Sequence, residues 1–148
     1  MTVRVTTDSF DPGAELNAFL AESHGAGAAA TFTGVVRSNP HDPITSLTLE
    51  CYPELAINQL TAIIEQASSR FGLLAVTIIH RYGALAPGEP IVQVMTLSPH
   101  RQAAFQGAEF LMDYLKTDAP FWKQETGPQG THWVEAKSED DEAKARWD

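Results

Sequence analysis

Cysteine is nearly missing from this chain, and lysine is missing from its first three quarters. Cys51 is the only cysteine, so no intrachain disulfide can form and a cysteine-cluster metal site is excluded. The histidines, His24, His41, His80, His100 and His132, show no ligand spacing, so no metal site is expected. GxGxxG, P-loop and GxSxG patterns are absent, which removes the usual dinucleotide, nucleotide and serine-hydrolase signatures. No apolar run approaches bilayer length, and the start, MTVRVTTDSF, has no apolar signal core. A cytoplasmic location without membrane attachment is expected. Positive charge is scarce as well: a formal net charge of -9 argues against binding a nucleic-acid backbone. Any anion pocket must therefore be local.

At 148 residues the chain suffices for one domain with a real core, and its 43% hydrophobic content is ordinary for a globular protein. Alternation and turn residues predict strands over residues 2–7, 28–37, 44–52, 73–81, 91–97 and 131–136. Gly34, inside the second, predicts a bulge or a close backbone approach. One helix is predicted after Asp11-Pro12, with Leu16, Phe19 and Leu20 as its stripe. Another follows Pro53, with Ile57, Leu60, Ile63, Ile64 and Ala67 inward and Gly72 as its stop. A third has Ser98 as N-cap and Pro99 in its first turn, and buries Ala104, Phe105, Ala108, Leu111, Met112 and Leu115. Residues 38–43, 82–83 and 86–89 read as turns. The short connections between strands favour an α+β domain with a mainly antiparallel sheet packed against helices. That domain is expected over residues 1–137. An acidic C-terminal tail, residues 138–148, follows as a loose segment or a short helix.

What the chain does have is a few cations in telling places. His100 and Arg101 open a helix whose positive dipole end suits acids better, a conflict that a bound anion would remove. The four lysines are Lys116, Lys123, Lys137 and Lys144, and the first two flank the corner Pro120-Phe121-Trp122. Arg37 stands at a strand end beside a turn-rich loop. Each has a plain reading. His100-Arg101 can be a solvated helix start, Arg37 an exposed strand end, Lys116 a dipole-favoured last-turn lysine, and Lys123 a snorkelling rim residue. Their coincidence among ten Lys and Arg points instead to an anion site. His80-Arg81 fits a structural hydrogen-bonding role better than a place in that site. Cys51 reads as a small buried hydrophobe, and Phe121, Trp122 and Trp133 as core or interface anchors.

FTGVVR at 32–37, LECYPELA at 49–56, IIHRYGALAPGE at 78–89, SPHRQAAF at 98–105 and LKTDAPFWKQE at 115–125 come in that order. Together they resemble the MoaE family, the catalytic (large) subunit of molybdopterin synthase. The likeness runs to about Trp133, and its most specific part is the set HR…K…P-aromatic-W-K-x-E. The resemblance implies a two-layer hammerhead-type α+β fold, a homodimer, and a small ubiquitin-like sulfur-carrier subunit at each end, giving a heterotetramer. The carrier's C-terminal Gly-Gly would be presented as a thiocarboxylate, one sulfur per carrier, and two sulfur atoms would be transferred to cyclic pyranopterin monophosphate. The product is the dithiolene of molybdopterin, in molybdenum cofactor biosynthesis. The carrier brings the sulfur, so no cofactor and no metal are expected.

By position, the resemblance puts Arg37, His100 and Arg101 on the substrate's phosphate and pterin, with Val35 and Val36 lining the same lip through backbone groups. Lys116 would meet the carrier's C-terminus, and Lys123, Gln124 and Glu125 would complete the pocket. Val35 stands where some relatives carry a basic residue. A thiocarboxylate sulfur is already nucleophilic, so the protein's tasks are orientation, oxyanion stabilisation and proton transfer. Lys116 is the expected principal catalytic group and Lys123 its partner. Two other classes compete. One is an adaptor that keeps the docking groove without turnover; the other is an enzyme forming a lysine Schiff base with a phosphorylated carbonyl compound. Retention of both lysines speaks against the first, and the ordered motifs against the second.

Overall fold

The structure, a computed structural model, describes residues 1–22, 25–134 and 138–148. His24, Lys137 and the predicted strand end at 135–136 lie outside the described residues. Along the chain run β1 (Thr2–Thr6), α1 (Pro12–Ala21), β2 (Ala28–Val35), β3 (Ser46–Glu50), α2 (Pro53–Phe71), β4 (Ala75–Arg81), β5 (Gly83–Leu85), β6 (Pro90–Ser98), α3 (Arg101–Thr117), β7 (Trp122–Gly127), β8 (Gly130–Val134) and α4 (Ser138–Ala145). They build two four-stranded sheets, ordered β1-β4-β6-β2 and β5-β3-β7-β8. β1 and β4 pair in parallel and the other pairs are antiparallel. The fold is α+β with mainly antiparallel pairing, divided between two sheets. No helix among the described residues is long and apolar enough to cross a membrane.

α2 shows how local signals set an element. Pro53 starts it, Glu54 sits in its first turn, and Gly72 ends it at φ 68°, a conformation glycine adopts without a Cβ penalty. Its buried stripe is Ala56, Leu60, Ile63, Ile64 and Ala67. The expected Ile57 falls on the flank instead, 37% exposed, because the stripe that closes on the sheet is the one through Ala56. α3 buries Ala104, Gly107, Ala108 and Leu111 against the same core, with Met112 and Leu115 partly buried. Phe105, expected inside, is 66% exposed, since it shares the outer face with Arg101 one turn earlier. α1 begins as expected, with Asp11 capping Gly13 and Ala14, but buries no residue fully.

Two boundaries differ from the sequence reading for tertiary reasons. Ser98 is the last residue of β6, paired with Ala28, so it cannot also be the N-cap of α3. His100 takes the cap position, and the Ser98 hydroxyl instead bridges the bend, accepting from the His100 N–H and donating to its carbonyl. At Tyr82-Gly83 the expected turn is a crossing between sheets: Tyr82 N–H bonds Thr6, and Gly83, at φ 92°, leads directly into β5. β7 starts at Trp122, the last residue of the aromatic corner, and its pairing with β3 joins residues more than seventy positions apart.

The C-terminal segment forms α4 rather than a loose tail. Arg146 binds Glu109 at 2.7 Å and Asp113 at 2.9 Å, and Trp147 packs edge-on against Phe71 and Phe110.

Candidate active site

The end of α3, the end of β2 and the inner face of the second sheet enclose a cavity of about 890 Å³. Strand alternation decides which β7 side chains face it. Lys123 pairs with Leu49 and Glu125 with Leu47, both buried, so these two side chains point inward. Lys123 and Glu125 line the cavity, and the lysine is held on a strand paired on both sides. Gln124 and Trp122 point to the opposite face, where Trp133, the partner of Gln124, is 54% exposed. Gln124 is accordingly not part of the cavity wall.

Lys116 enters from the last turn of α3, exposed, and Arg37 from the loop just beyond β2, also exposed. A register shift at Gly34/Val35, the expected bulge, turns the strand end toward the cavity. A Cβ on Gly34 would sit 2.9 Å from Val92 Cγ1, so the close approach of β2 and β6 needs the glycine. Val35 is 53% exposed on the wall. Val36 differs: its side chain is buried, its N–H donates to Glu89 at 2.9 Å, and its carbonyl accepts from Gly88 at 2.8 Å. Both Val36 peptide groups are therefore engaged, and the lip offers Val35 and Arg37.

The cavity is not uniformly positive. Asp42, Glu125, Glu139 and Asp140 share its wall with the three cations, and His132 stands 3.5 Å from Glu125. At its base lies His80, 7% exposed, its ring stacked on Phe121 at 3.8 Å. Burial pushes the His80 pKa down to about 4, opposed by its bond to the Arg81 carbonyl and assisted by the charges of Lys123 and Lys116. The ring is neutral at physiological pH. Arg81 is buried and stays structural, bonded to Glu89 and to the Thr7 carbonyl at 3.2 Å each.

His100 and Arg101 lie elsewhere on the chain, in a second pocket of about 770 Å³ with Phe105 and Gln106. Arg101 and Lys116 open and close α3, about 22 Å apart at the helical rise per residue. One chain thus brings together Val35, Arg37, Lys116, Lys123 and Glu125, and holds His100-Arg101 apart. His80, Phe121 and the α4 carboxylates Glu139 and Asp140 join the wall without having been expected there. The alternation of β4 could have pointed to His80, which shares a sheet face with Ile78; nothing local announces the α4 acids. Among the described residues no group of three or more His, Cys, Asp or Glu is arranged to hold a metal ion.

Comparison with known proteins adds relatives to this geometry. A family model described as MoaE protein matches residues 5–118. The molybdopterin synthase catalytic subunit of Rhizobium meliloti is 48% identical over 99% of this chain and 96% of its own length. That of Escherichia coli is 49% identical over 87% of each chain. The solved structure of a molybdopterin biosynthesis MoaE protein from Burkholderia ambifaria superposes with a TM-score of 0.83 at 46% identity, covering 99% of this chain and 97% of the other.

Proposed function

Since this chain belongs to the MoaE family, we propose that it acts as the catalytic subunit of a molybdopterin synthase, a sulfurtransferase of molybdenum cofactor biosynthesis, with the α3–β7 cavity as its reaction chamber. The observation that carries the reading is the convergence of Lys116, from a helix end, and Lys123, from an inner strand, on one cavity with Arg37 at its lip. The sulfur donor is the thiocarboxylate of a small ubiquitin-like carrier, whose extended Gly-Gly end is slim enough to enter. The acceptor is cyclic pyranopterin monophosphate, which receives two sulfurs. The thiocarboxylate needs no activation, so the lysines' work is to neutralise its charge, stabilise the oxyanions that develop and move protons. Lys116 is the principal group and Lys123 its partner, with Glu125 beside it as a proton acceptor. No cofactor enters, because the carrier brings the sulfur, and the reaction belongs to the cytoplasm.

His100 and Arg101 cannot reach a substrate held by Lys116 on the same chain across about 22 Å. A homodimer resolves this: the second copy's helix start, with its free N–H groups and two cations, closes the cavity around the phosphate. Two such sites, each with its carrier, make a heterotetramer. Mixing Lys116→Ala with Arg101→Ala subunits should recover activity that neither variant has alone, since a mixed dimer keeps one intact site. Absence of any recovery would place both residues in one chain's site or assign Arg101 to folding.

The direct test is a single turnover with purified chain, thiocarboxylated carrier and cyclic pyranopterin monophosphate, read by mass spectrometry of the pterin. Gain of two sulfurs is expected, with two carrier thiocarboxylates returned as carboxylates for each pterin. Carrier binding without transfer, where a known active synthase works, would sink the reading in favour of an adaptor.

A further inference from the structure

On one face of β2 the side chains run Ala30, Phe32, Gly34. Ala30 is buried in the core with Ala104, Ala108 and Leu111 of α3, and its partner Thr96 bonds the Ala104 carbonyl. Phe32 stands opposite Val94 and Gly34 opposite Val92, both buried in that same core. Phe32 is nevertheless 41% exposed, and with Gly34 and Val92 it lines the cavity. The cover that α3 gives this strand thus ends at Phe32, and the cavity begins there. The ring leans along the strand: a Cβ on Gly34 would meet its Cε1 at 3.4 Å and its Cζ at 3.9 Å. The bare glycine leaves the phenyl room to lie that way. β2 is also the outermost strand of its sheet. Single exposed hydrophobics on a convex surface need no explanation. This one is on a concave wall, where Ile91, Met112, Leu115 and Phe121 add apolar surface beside the three cations. Apolar lining with a few placed charges is the usual make-up of a small-molecule site. The roles assigned above use the charges and leave the phenyl idle.

We propose that Phe32 is the platform on which the pterin binds, its exposed ring stacking against the planar pyrimidine end of the substrate while Arg37 takes the phosphate. Gly34, over which the ring leans, and Arg37 are three residues apart, at most about 10 Å of chain. The substrate's fused rings carry the cyclic phosphate at one end and the pyrimidine at the other, so a single rigid molecule spans platform and guanidinium. Stacking buries both faces and tolerates the heterocycle's polar edges, which stay free for the charged groups of the wall. The contact is the same before and during sulfur transfer, so Phe32 contributes to binding and not to the rate of the chemical step. The inference rests on the synthase reading for the identity of the ligand, but its first test needs no turnover.

Two variants separate the flat ring from apolar bulk. Phe32→Leu keeps the bulk and loses the ring, and Phe32→Tyr keeps the ring. Titration calorimetry of the chain with cyclic pyranopterin monophosphate, without carrier, should show Phe32→Leu binding about 5- to 150-fold more weakly, the usual worth of one stacked ring. Phe32→Tyr should bind as wild type does. In turnover with thiocarboxylated carrier the loss in Phe32→Leu should fall on KM for the pterin, with kcat and carrier affinity unchanged. Wild-type pterin affinity in Phe32→Leu would overturn the proposal. So would equal losses in both variants that follow their melting temperatures, which would make the ring a packing element. A fall in carrier affinity with pterin binding intact would overturn it as well and make Phe32 a docking contact for the carrier. A wild-type chain that binds the pterin but transfers no sulfur would sink the synthase reading alone, and the calorimetry would still judge Phe32. A wild-type chain that binds no pterin would overturn both.

Discussion

β6, in the middle of the first sheet, has seven consecutive buried residues, 92–98, whereas β8, at the edge of the second, has four of five exposed. The first sheet lies under α2 and α3 around a core that includes Val76, Ile78, Val94 and Leu111, each fully buried. The second has its own small core of Val36, Ile44, Leu47, Leu49 and Leu85, and turns the rest of that face, through Lys123 and Glu125, toward the cavity. Charged groups can work there because water and ligand reach them, and they stay aimed because the strand beneath is paired on both sides. Burial on one sheet supplies the stability that a half-covered second sheet cannot supply for itself. α3 ties the two together, with Leu111 in the core and Lys116 in the cavity.

That division can be broken most visibly at Lys116. Lys116→Ala should cut sulfur transfer by about 100- to 10,000-fold, the usual worth of a positioned acid–base group, while unfolding free energy shifts by less than about 0.5 kcal/mol, since the side chain is exposed. Denaturant melts beside single-turnover rates would check both halves. Normal turnover would remove Lys116 from the mechanism.

Five residues earlier on the same helix the balance should invert. Leu111→Ala leaves a cavity among Ala104, Ala108 and the sheet, and should cost about 2–5 kcal/mol. Turnover per folded molecule should change little. A variant that kept its stability but lost its rate would mean that the core and the cavity are coupled through α3.

His80 stands on the boundary between the two regions and should give stability a pH slope. Its folded pKa, about 4, lies below the ordinary 6.5, so between those values the unfolded chain binds more protons. Stability should be complete above about pH 6.5 and fall as pH drops toward 4, by up to about 3 kcal/mol from this residue. His80→Asn should flatten that segment of the unfolding profile. An unchanged slope would mean that the ring is protonated in the folded protein.

How much of this the chain discloses in advance follows the same line. α2 is legible from Pro53, its three-and-four stripe and Gly72, because all three signals are local. β7 is not, because WKQETG carries little apolar alternation and becomes a strand by pairing with β3 across more than seventy residues. The cations were recognisable as types, and their spacing was not. Arg101 and Lys116 read as neighbours of one idea, yet the helix between them is a rigid rod that keeps them apart. Val36 looks like a lip residue in FTGVVR, but its peptide groups are spent on Glu89 and Gly88, which no local pattern reveals. His80 has the opposite history. Read as structural from the chain, it is structural through its bond to the Arg81 carbonyl and also lines the cavity.

The smallest expected effect makes the finest test, because it separates adjacent residues of one strand. Gln124 lies between Lys123 and Glu125, and a family resemblance alone places all three in the pocket. Strand alternation sends Gln124 to the outer face beside Trp133, against Thr48 of β3. Gln124→Ala should therefore leave sulfur transfer within about twofold and stability within about 0.5 kcal/mol, as for other surface changes away from a site. Glu125→Ala, made in parallel, removes a cavity carboxylate and should slow transfer measurably. Equal losses in both variants would show that ligand or partner engages both faces of β7, and the working surface would then extend past the cavity to the exposed Trp122 and Trp133. A silent Gln124 beside a damaged Glu125 would confine the chemistry to the inner face, where the packing of Leu47 and Leu49 fixes the direction of every second side chain.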